Sequence, residues 1–422
     1  DTLIRIEREE KPNAFALPSQ RLYETAFSVD YFVSQLDNNL ISPSYQLFSG
    51  TGYANPNLGA LIKIGTSDLF EDHKIVGGFR LPFDLTNTEY LLSYSNLKKR
   101  LDQQVIFHRQ ATLFSLSNGF NLGRITSHDV RFIAKWPFSE TTAVRGTVTY
   151  RNDRIVLLST DFPSLFVPNV YANWAHLKGE YILDNTLSTG LNLYNGTRLK
   201  VFAEVYKQID QSNTTLGVLG ADVRHYEKVH RDIIWANRFA ASTSGGGQKL
   251  IYYMGSVDNP VILRSDGNFI NDFDNGTNID YSQNYVFQAL ATNMRGFVQN
   301  VRNGSSFMVL NSELRVPLFK YLLNKPIKSD FVKNFQVVGF VDAGTAWEGK
   351  SPYDNNVLNT ETTVVGPLKI TITTQREPFV YGYGWGLRSR LLGYFIRADW
   401  AWGVEDFVTQ PGIFYLSLNL DF

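Results

Sequence analysis

One arginine and two carboxylates in this sequence have the residue types and the spacing to form a shared ion pair. Arg295 lies in a Met-Arg-Gly-Phe tetrapeptide at 294–297, and Glu313 and Asp342 follow in two segments where apolar and polar residues alternate. A guanidinium group donates a fork of charge-assisted hydrogen bonds to carboxylates, and such contacts are strong where little water enters. We predict that Arg295 is held between Glu313 and Asp342. The alternative is that all three are solvated charges in a wet interior.

The alternation of apolar and polar residues along each segment decides which of these side chains can meet. In segment 306–319 one face carries Val309, Asn311, Glu313 and Arg315, and in segment 335–347 Asp342 shares a face with Gly344. Successive residues of a strand point to opposite faces of its sheet. Both acids can therefore face one interior if the two segments are adjacent strands.

A third segment has glycine at three alternate positions, Gly382, Gly384 and Gly386, with aromatic residues between them. Glycine at successive inward positions leaves room for a chain segment packed closely against the wall of a sheet. We interpret that segment as the loop tip that carries Arg295.

These residues need a fold of long strands to position them, and the dominant period of the sequence is two. From Phe414 to Phe422 every second residue is apolar, and the residues between are Tyr, Ser, Asn and Asp. Alternation over such lengths predicts half-buried strands. About sixteen such segments are predicted, with uncertain ends. They are 25–37, 58–72, 74–86, 89–98, 103–115, 125–138, 142–158, 171–184, 189–207, 214–229, 231–243, 306–319, 335–347, 380–391, 394–405 and 412–422.

The composition favours a membrane barrel over a soluble sheet protein. Aromatic residues make up 14% of the chain, yet the mean hydropathy is −0.18. No apolar run approaches the roughly 18 residues of a spanning helix. A barrel satisfies both facts because only every second residue of a strand faces lipid. The predicted fold class is therefore all-β, a transmembrane antiparallel β-barrel, and a soluble sandwich or propeller is the alternative.

Charge and cysteine content narrow the classes of function. Basic and acidic residues number 40 each, so nothing points to a nucleic-acid partner, and cysteine is absent. The absence of cysteine excludes disulfides and thiolate sites, and it fits an oxidising compartment. No arrangement of Ser, His and Asp or of paired carboxylates is convincing, so we expect neither enzyme activity nor a cofactor. Asp272, Asp274 and Asp280 alternate around a glycine as in calcium loops, but a solvated polar loop is the favoured interpretation.

Two connections are too long to be turns. Segment 244–305 is dense in Asn, Asp and Gly and contains Arg295, and segment 348–379 contains a strand-like piece at 368–373. A loop this long within a compact fold is usually functional or disordered.

Three signatures in order resemble those of the BamA/TamA superfamily of outer-membrane assembly and translocation barrels. They are the tetrapeptide at 294–297, the segment LNSELRVP at 310–317 and the segment GFVDAGTAW at 339–347, all before the terminal Phe422. In that superfamily a long extracellular loop folds back into the barrel lumen and carries a Val/Ile-Arg-Gly-Phe/Tyr tip. Met294 departs from the first position of this tip.

The resemblance implies a mechanism and a set of roles. Segment 244–305 would be the lumen-inserted loop, and the first and last strands, 25–37 and 412–422, would form a seam that opens sideways toward lipid. Phe422 would be the C-terminal aromatic signal for barrel assembly. The residues that would form the loop lock are Arg295, Gly296, Phe297, Glu313, Asp342 and Gly344.

The resemblance also sets expectations for the domains. Segment 25–422 would be the outer-membrane barrel, and 1–24 would be a periplasmic linker or the remnant of an upstream domain. Superfamily members normally carry POTRA domains before the barrel, and 24 residues are too few for one. The barrel also resembles that of long Bacteroidota proteins in which TolB-like propeller repeats come first.

The function implied is insertion or translocation of outer-membrane or surface proteins in the bacterial outer membrane. The expected partners are outer-membrane lipid, client proteins, and periplasmic or lipoprotein subunits. Two alternatives remain open: a non-catalytic anchor subunit of a larger assembly or secretion complex, and a passive pore.

Overall fold

The structure, a computed structural model, describes residues 25–38, 40, 45–50, 52–56, 58–83, 87–115, 122–158, 162–210, 215–275, 277–323, 326–354, 358–365 and 368–418. Strands make up most of this part of the chain, with three short helices. Among the described helices, none has the length and apolar content to cross a membrane.

In chain order, the strands of the first half are β1 (Phe27–Asp37), β2 (Gln46–Leu47), β3 (Gly59–Asp68), β4 (His73–Pro82), β5 (Glu89–Asn96), β6 (Asp102–Ser115), β7 (Leu122–Pro137), β8 (Thr142–Leu157), β9 (Val170–Asp184), β10 (Leu187–Gly190), β11 (Leu193–Gln208), β12 (Thr215–His230) and β13 (Ile233–Gly246). The second half has β14 (Lys249–Met254), β15 (Pro260–Ser265), β16 (Asn268–Phe269), β17 (Tyr285–Leu290), β18 (Arg302–Gly304), β19 (Ser306–Val316), β20 (Gln336–Trp347), β21 (Leu358–Val365), β22 (Leu368–Gln375), β23 (Val380–Leu391), β24 (Tyr394–Glu405), β25 (Val408–Thr409) and β26 (Ile413–Ser417). A 3-10 helix spans Pro163–Phe166, and α1 (Leu318–Leu322) and α2 (Asp330–Lys333) lie between β19 and β20.

The long strands form one antiparallel sheet that follows the chain. The ladder runs β1–β3–β4–β5–β6–β7–β8–β9–β11–β12–β13–β19–β20–β23–β24–β26. Each predicted strand segment overlaps one of these strands, so the predicted all-β class with a large antiparallel sheet is confirmed. Within the described residues the sheet has 20 strands, because the short strands β10, β15, β16 and β25 also pair with it.

The two faces of this sheet have opposite character. Phe132 and Val148 are cross-strand partners on β7 and β8, and they are 44% and 55% exposed. Their neighbours on the other face, Asp129 and Arg151, are also partners and are buried. Apolar residues outside and buried charges inside are the reverse of a soluble sandwich and the pattern of a sheet in lipid. We call the face with the buried polar residues the inner face.

Segment 244–305, predicted as one long loop, has strands of its own. β14 pairs in parallel with β17 and antiparallel with β18, and β17 pairs with β2, which forms a second, four-stranded sheet. Leu250 and Met254 of β14 and Phe287 of β17 are buried in one cluster with Trp174 and Val309 of the large sheet. The loop is thus attached to the inner face by an apolar core.

The last strand has a neighbour that the sequence analysis did not predict. β26 pairs with β24 on one side and with β15, from the long loop, on the other. β1 pairs with β3, and no ladder joins β1 to β26 among the described residues.

Candidate functional site

Two adjacent strands place the predicted carboxylates on the inner face. β19 and β20 pair with Asn311 opposite Asp342 and Glu313 opposite Phe340. Exposure alternates along both strands, so that Asn311, Glu313 and Asp342 are buried while Leu310 and Leu314 are exposed. The strand period alone therefore brings two acids together at the middle of the sheet.

Arg295 lies between these acids. Its Nη1 donates to Glu313 Oε1 at 2.6 Å, and its Nε and Nη2 donate to Asp342 Oδ2 and Oδ1, each at 2.7 Å. The guanidinium carbon lies 3.7 Å from the centre of the Phe340 ring, and Arg295 is 1% exposed. Burial alone would lower the pKa of Arg295, but Asp342 and Glu313 raise it above the ordinary arginine value. Arg295 therefore stays charged, and its fork is bound on both sides.

Glu313 is shared by three arginines. Besides Arg295, its carboxylate accepts hydrogen bonds from Arg315 Nε at 2.8 Å and from Arg388 Nη1 and Nη2 at 2.9 and 2.7 Å. Arg315 and Arg388 are fully buried. Asn311 Nδ2 donates to Asp342 Oδ1 at 2.8 Å and to the carbonyl of Asn293, in the long loop, at 2.9 Å. The network thus spans β19, β20, β23 and the loop.

The loop tip touches the last two strands through its backbone. Gly296 has a φ of +94°, and a Cβ there would overlap the backbone of Trp402 and Gly403 in β24. The Tyr415 hydroxyl on β26 accepts from Gly296 N at 3.1 Å and donates to Phe297 O at 2.7 Å. Only glycine combines this φ with so close an approach. The tip is therefore fixed to the edge of the sheet as well as to its middle.

The inward glycines have different neighbours, which corrects part of the sequence interpretation. A Cβ on Gly382 would overlap the Arg295 carbonyl oxygen, as predicted for packing against the loop tip. A Cβ on Gly384 would meet Trp400 O and the Phe340 ring, and one on Gly386 would overlap the Asp399 carboxylate. The prediction that all three make room for the tip is therefore wrong for Gly384 and Gly386. A Cβ on Gly344 would meet the side chains of Val309 on β19 and Met254 on β14 first.

Sequence reasoning missed Arg388 and Tyr415 as members of this site. Arg388 is two residues beyond Gly386 on the inward face of β23, so the same alternation could have identified it. Tyr415 lies on the inward face of β26, but nothing in its own segment indicates that its hydroxyl meets a loop more than a hundred residues away. Phe422 lies outside the described residues.

The candidate calcium acids are occupied by protein donors. Asp272 accepts from Ser256 Oγ at 2.6 Å, Gln299 Nε2 at 2.9 Å and Asn55 Nδ2 at 3.0 Å. Asp280 accepts from Ser282, and Asp274 accepts from Thr277. Within the described ranges, no group of three or more His, Asp and Glu side chains is arranged to hold a metal ion.

Comparison with known proteins identifies the fold. No protein-family model matches the chain, and no curated protein matches it. Among solved structures, BamA from Haemophilus ducreyi lacking POTRA domains 1–3 superposes with a TM-score of 0.54 at 10% identity, over 94% of this chain and 71% of that one. CdiB from Acinetobacter baumannii gives a TM-score of 0.48 at 14% identity, over 93% of this chain and 60% of that one. CdiB from Escherichia coli gives 0.46 at 10% identity, over 92% and 67%. The match to BamA confirms the predicted resemblance at the level of the fold.

Proposed function

We propose that this chain is an outer-membrane barrel that inserts or translocates proteins, acting through a lateral seam at β1 and β26 and through the loop lock. The proposal takes the large sheet to close into a barrel, with the inner face as the lumen wall and the exposed apolar face in the lipid of the bacterial outer membrane. Its partners would be membrane lipid, client proteins with exposed strands, and periplasmic or lipoprotein subunits.

One observation carries the proposal. Arg295, in the long loop, is buried between carboxylates of two strands, while the backbone of Gly296 and Phe297 is hydrogen-bonded to Tyr415 of β26. A single loop segment thus joins the middle of the wall to the strand beside the seam. A passive pore has no need of such a connection, and the inner sheet built from β14, β17, β18 and β2 occupies space that a pore would leave to water.

The test is an insertion assay with matched arginine variants. The full chain in proteoliposomes would receive an unfolded eight-stranded outer-membrane barrel diluted from urea, and protease protection would report its insertion. We expect Arg295→Ala to reduce the insertion rate at least tenfold, because the tip loses both carboxylate partners. Arg131→Ala is the control, since Arg131 also lies on the inner face and pairs with an acid, Asp129, at 2.8 Å.

Three results would contradict the proposal. They are insertion no faster than in protein-free liposomes, equal losses in the two variants, and a large steady conductance of the parent chain in planar bilayers. The last result would favour the passive pore. Co-purification of a fixed set of subunits with an inactive parent chain would favour the membrane anchor.

A further inference from the structure

The chain supplies a strand from its own long loop to the edge of its last strand. β15 and β26 are antiparallel with Leu263 opposite Tyr415 and Arg264 opposite Phe414, and Ser265 Oγ donates to the Gly412 carbonyl at 3.2 Å. On its other side β26 pairs with β24. The edge that faces the seam is therefore covered by an internal strand along Ile413–Ser417.

β15 follows the inside–outside pattern of a wall strand. Leu263 points inward and is buried in one cluster with Tyr415, Ile413 and Ala401. Ile262, the residue before Leu263 in the strand, points to the opposite face and is half-buried beside Leu416. An antiparallel strand with apolar side chains on both faces is what the edge of a membrane sheet accepts.

β15 is nevertheless a poor strand for that position. It has 6 residues, whereas β24 next to it has 12. It begins at Pro260, which has no N–H for a ladder, and its register shifts between Pro260 and Ile262. Its exposed Arg264 has a guanidinium 4.2 Å from the Phe269 ring centre, and an arginine on a lipid-facing surface is unfavourable. A longer apolar strand would pair with β26 more stably.

We propose that β15 is a built-in competitor strand, which covers the edge of β26 until an antiparallel strand of a client barrel displaces it. The client strand would carry apolar side chains at the positions opposite Phe414 and Leu416. This inference rests on the proposed function and adds a specific recognition edge to it. Displacing β15 need not release the loop tip, because Arg295 lies 30 positions after Ser265 and is held by separate contacts.

Two cysteine pairs that share one residue test the proposal. Leu416 is opposite Ile262 of β15 and opposite Ala398 of β24. The pair Ile262→Cys with Leu416→Cys would tie the competitor to β26, and the pair Ala398→Cys with Leu416→Cys would tie β26 to its permanent neighbour. The sequence has no cysteine of its own, so each variant contains one pair of thiols.

Both pairs should form disulfides under mild oxidation in proteoliposomes. With the unfolded eight-stranded barrel as the probe, oxidation of the β15–β26 pair should slow insertion at least tenfold, and reduction should restore it. Oxidation of the β24–β26 pair should change the rate less than twofold. As a second measurement, Arg264→Val should slow insertion severalfold, because it makes β15 a better wall strand.

Failure can be assigned to one proposal or the other. If the β15–β26 disulfide forms and insertion continues at the parent rate, the competitor role is wrong and the proposed function stands. If that disulfide does not form while the control disulfide does, the pairing itself is wrong. If the parent chain shows no insertion, the proposed function fails and the competitor role fails with it.

Discussion

The inner face carries charge on two walls, and the two are built differently. On the wall formed by β7, β8 and β9, Asp129 pairs with Arg131 and Glu180 pairs with Arg145 and Lys178. These basic side chains are 17%, 36% and 24% exposed, and they line a cavity of about 300 Å³. On the wall formed by β19, β20 and β23, the arginines that bind Glu313 are at most 1% exposed, and one of them comes from the loop.

The difference shows that one sequence pattern can produce two kinds of charged wall, one in contact with water and one covered by the loop. Alternation puts charges on the inner face of both walls, but on the β7–β9 wall many of them remain within reach of water. On the β19–β23 wall the loop excludes water, so each charge depends on its protein partners. Breaking a buried pair leaves an uncompensated charge, whereas exposed pairs contribute little to stability.

The largest expected effect is the removal of the shared carboxylate. Glu313→Gln leaves Arg295, Arg315 and Arg388 around a neutral side chain, and we expect a loss of about 3–5 kcal/mol in the free energy of unfolding. Glu180→Gln is the control on the other wall and should cost about 1 kcal/mol or less, because its partners are partly exposed. Urea unfolding in detergent micelles, followed by heat-modifiable migration on gels, measures both. Equal midpoints would remove the distinction between the walls.

A smaller effect is expected from filling the space beside the loop tip. Gly382→Ala would push a methyl group into the Arg295 carbonyl, and overpacking of this kind costs roughly 1–3 kcal/mol. Gly146→Ala on β8 is the control, since a Cβ there meets no atom within 4 Å. The same unfolding measurement applies. If the control variant is destabilised as much as Gly382→Ala, close packing is not what distinguishes the two walls.

The smallest effect concerns pH. Burial raises the pKa of Asp272, in the long loop, to about 6 from an ordinary value of 3.8, although hydrogen bonds from Ser256 and Asn55 lower it. Because the raised pKa belongs to the folded loop, its contribution to stability is full below about pH 4 and is lost as the pH rises through 6. We expect the free energy needed to unfold the loop to fall by about 1 kcal/mol between pH 4 and 7, after allowance for partial exposure. The loop should therefore become more sensitive to protease over this range.

Asp272→Asn isolates this group. Burial also raises the pKa of Asp258 in the same loop, so the parent chain has two contributions of the same sign. The variant should retain the pH dependence that Asp258 provides. An unchanged pH profile in Asp272→Asn would show that Asp272 is not the main titrating group.

Local alternation predicted the strands and the inward faces of Glu313 and Asp342, because a period of two is a property of each strand alone. The pairing of β15 with β26 could not be predicted in the same way. Pro260 and Arg264 argue against a membrane strand in the sequence, and the pairing depends on where the loop is attached elsewhere. The glycines illustrate the same limit. Gly382 and Gly386 belong to the same alternation of glycine and aromatic residues, but they have different neighbours in the fold.

The charges around Glu313 bear on whether the loop tip can leave the wall and return to it. Without the loop tip, three arginines and three acids remain as one group on the inner face of β19, β20, β23 and β24, and their charges balance. They are Arg315, Arg388, Arg397, Glu313, Asp342 and Asp399. Withdrawal of the tip would therefore remove one cation and leave a neutral group behind. With the tip in place the same group has one arginine in excess of its acids, whereas without the tip its charges balance, so opening the lock leaves no excess charge on these strands.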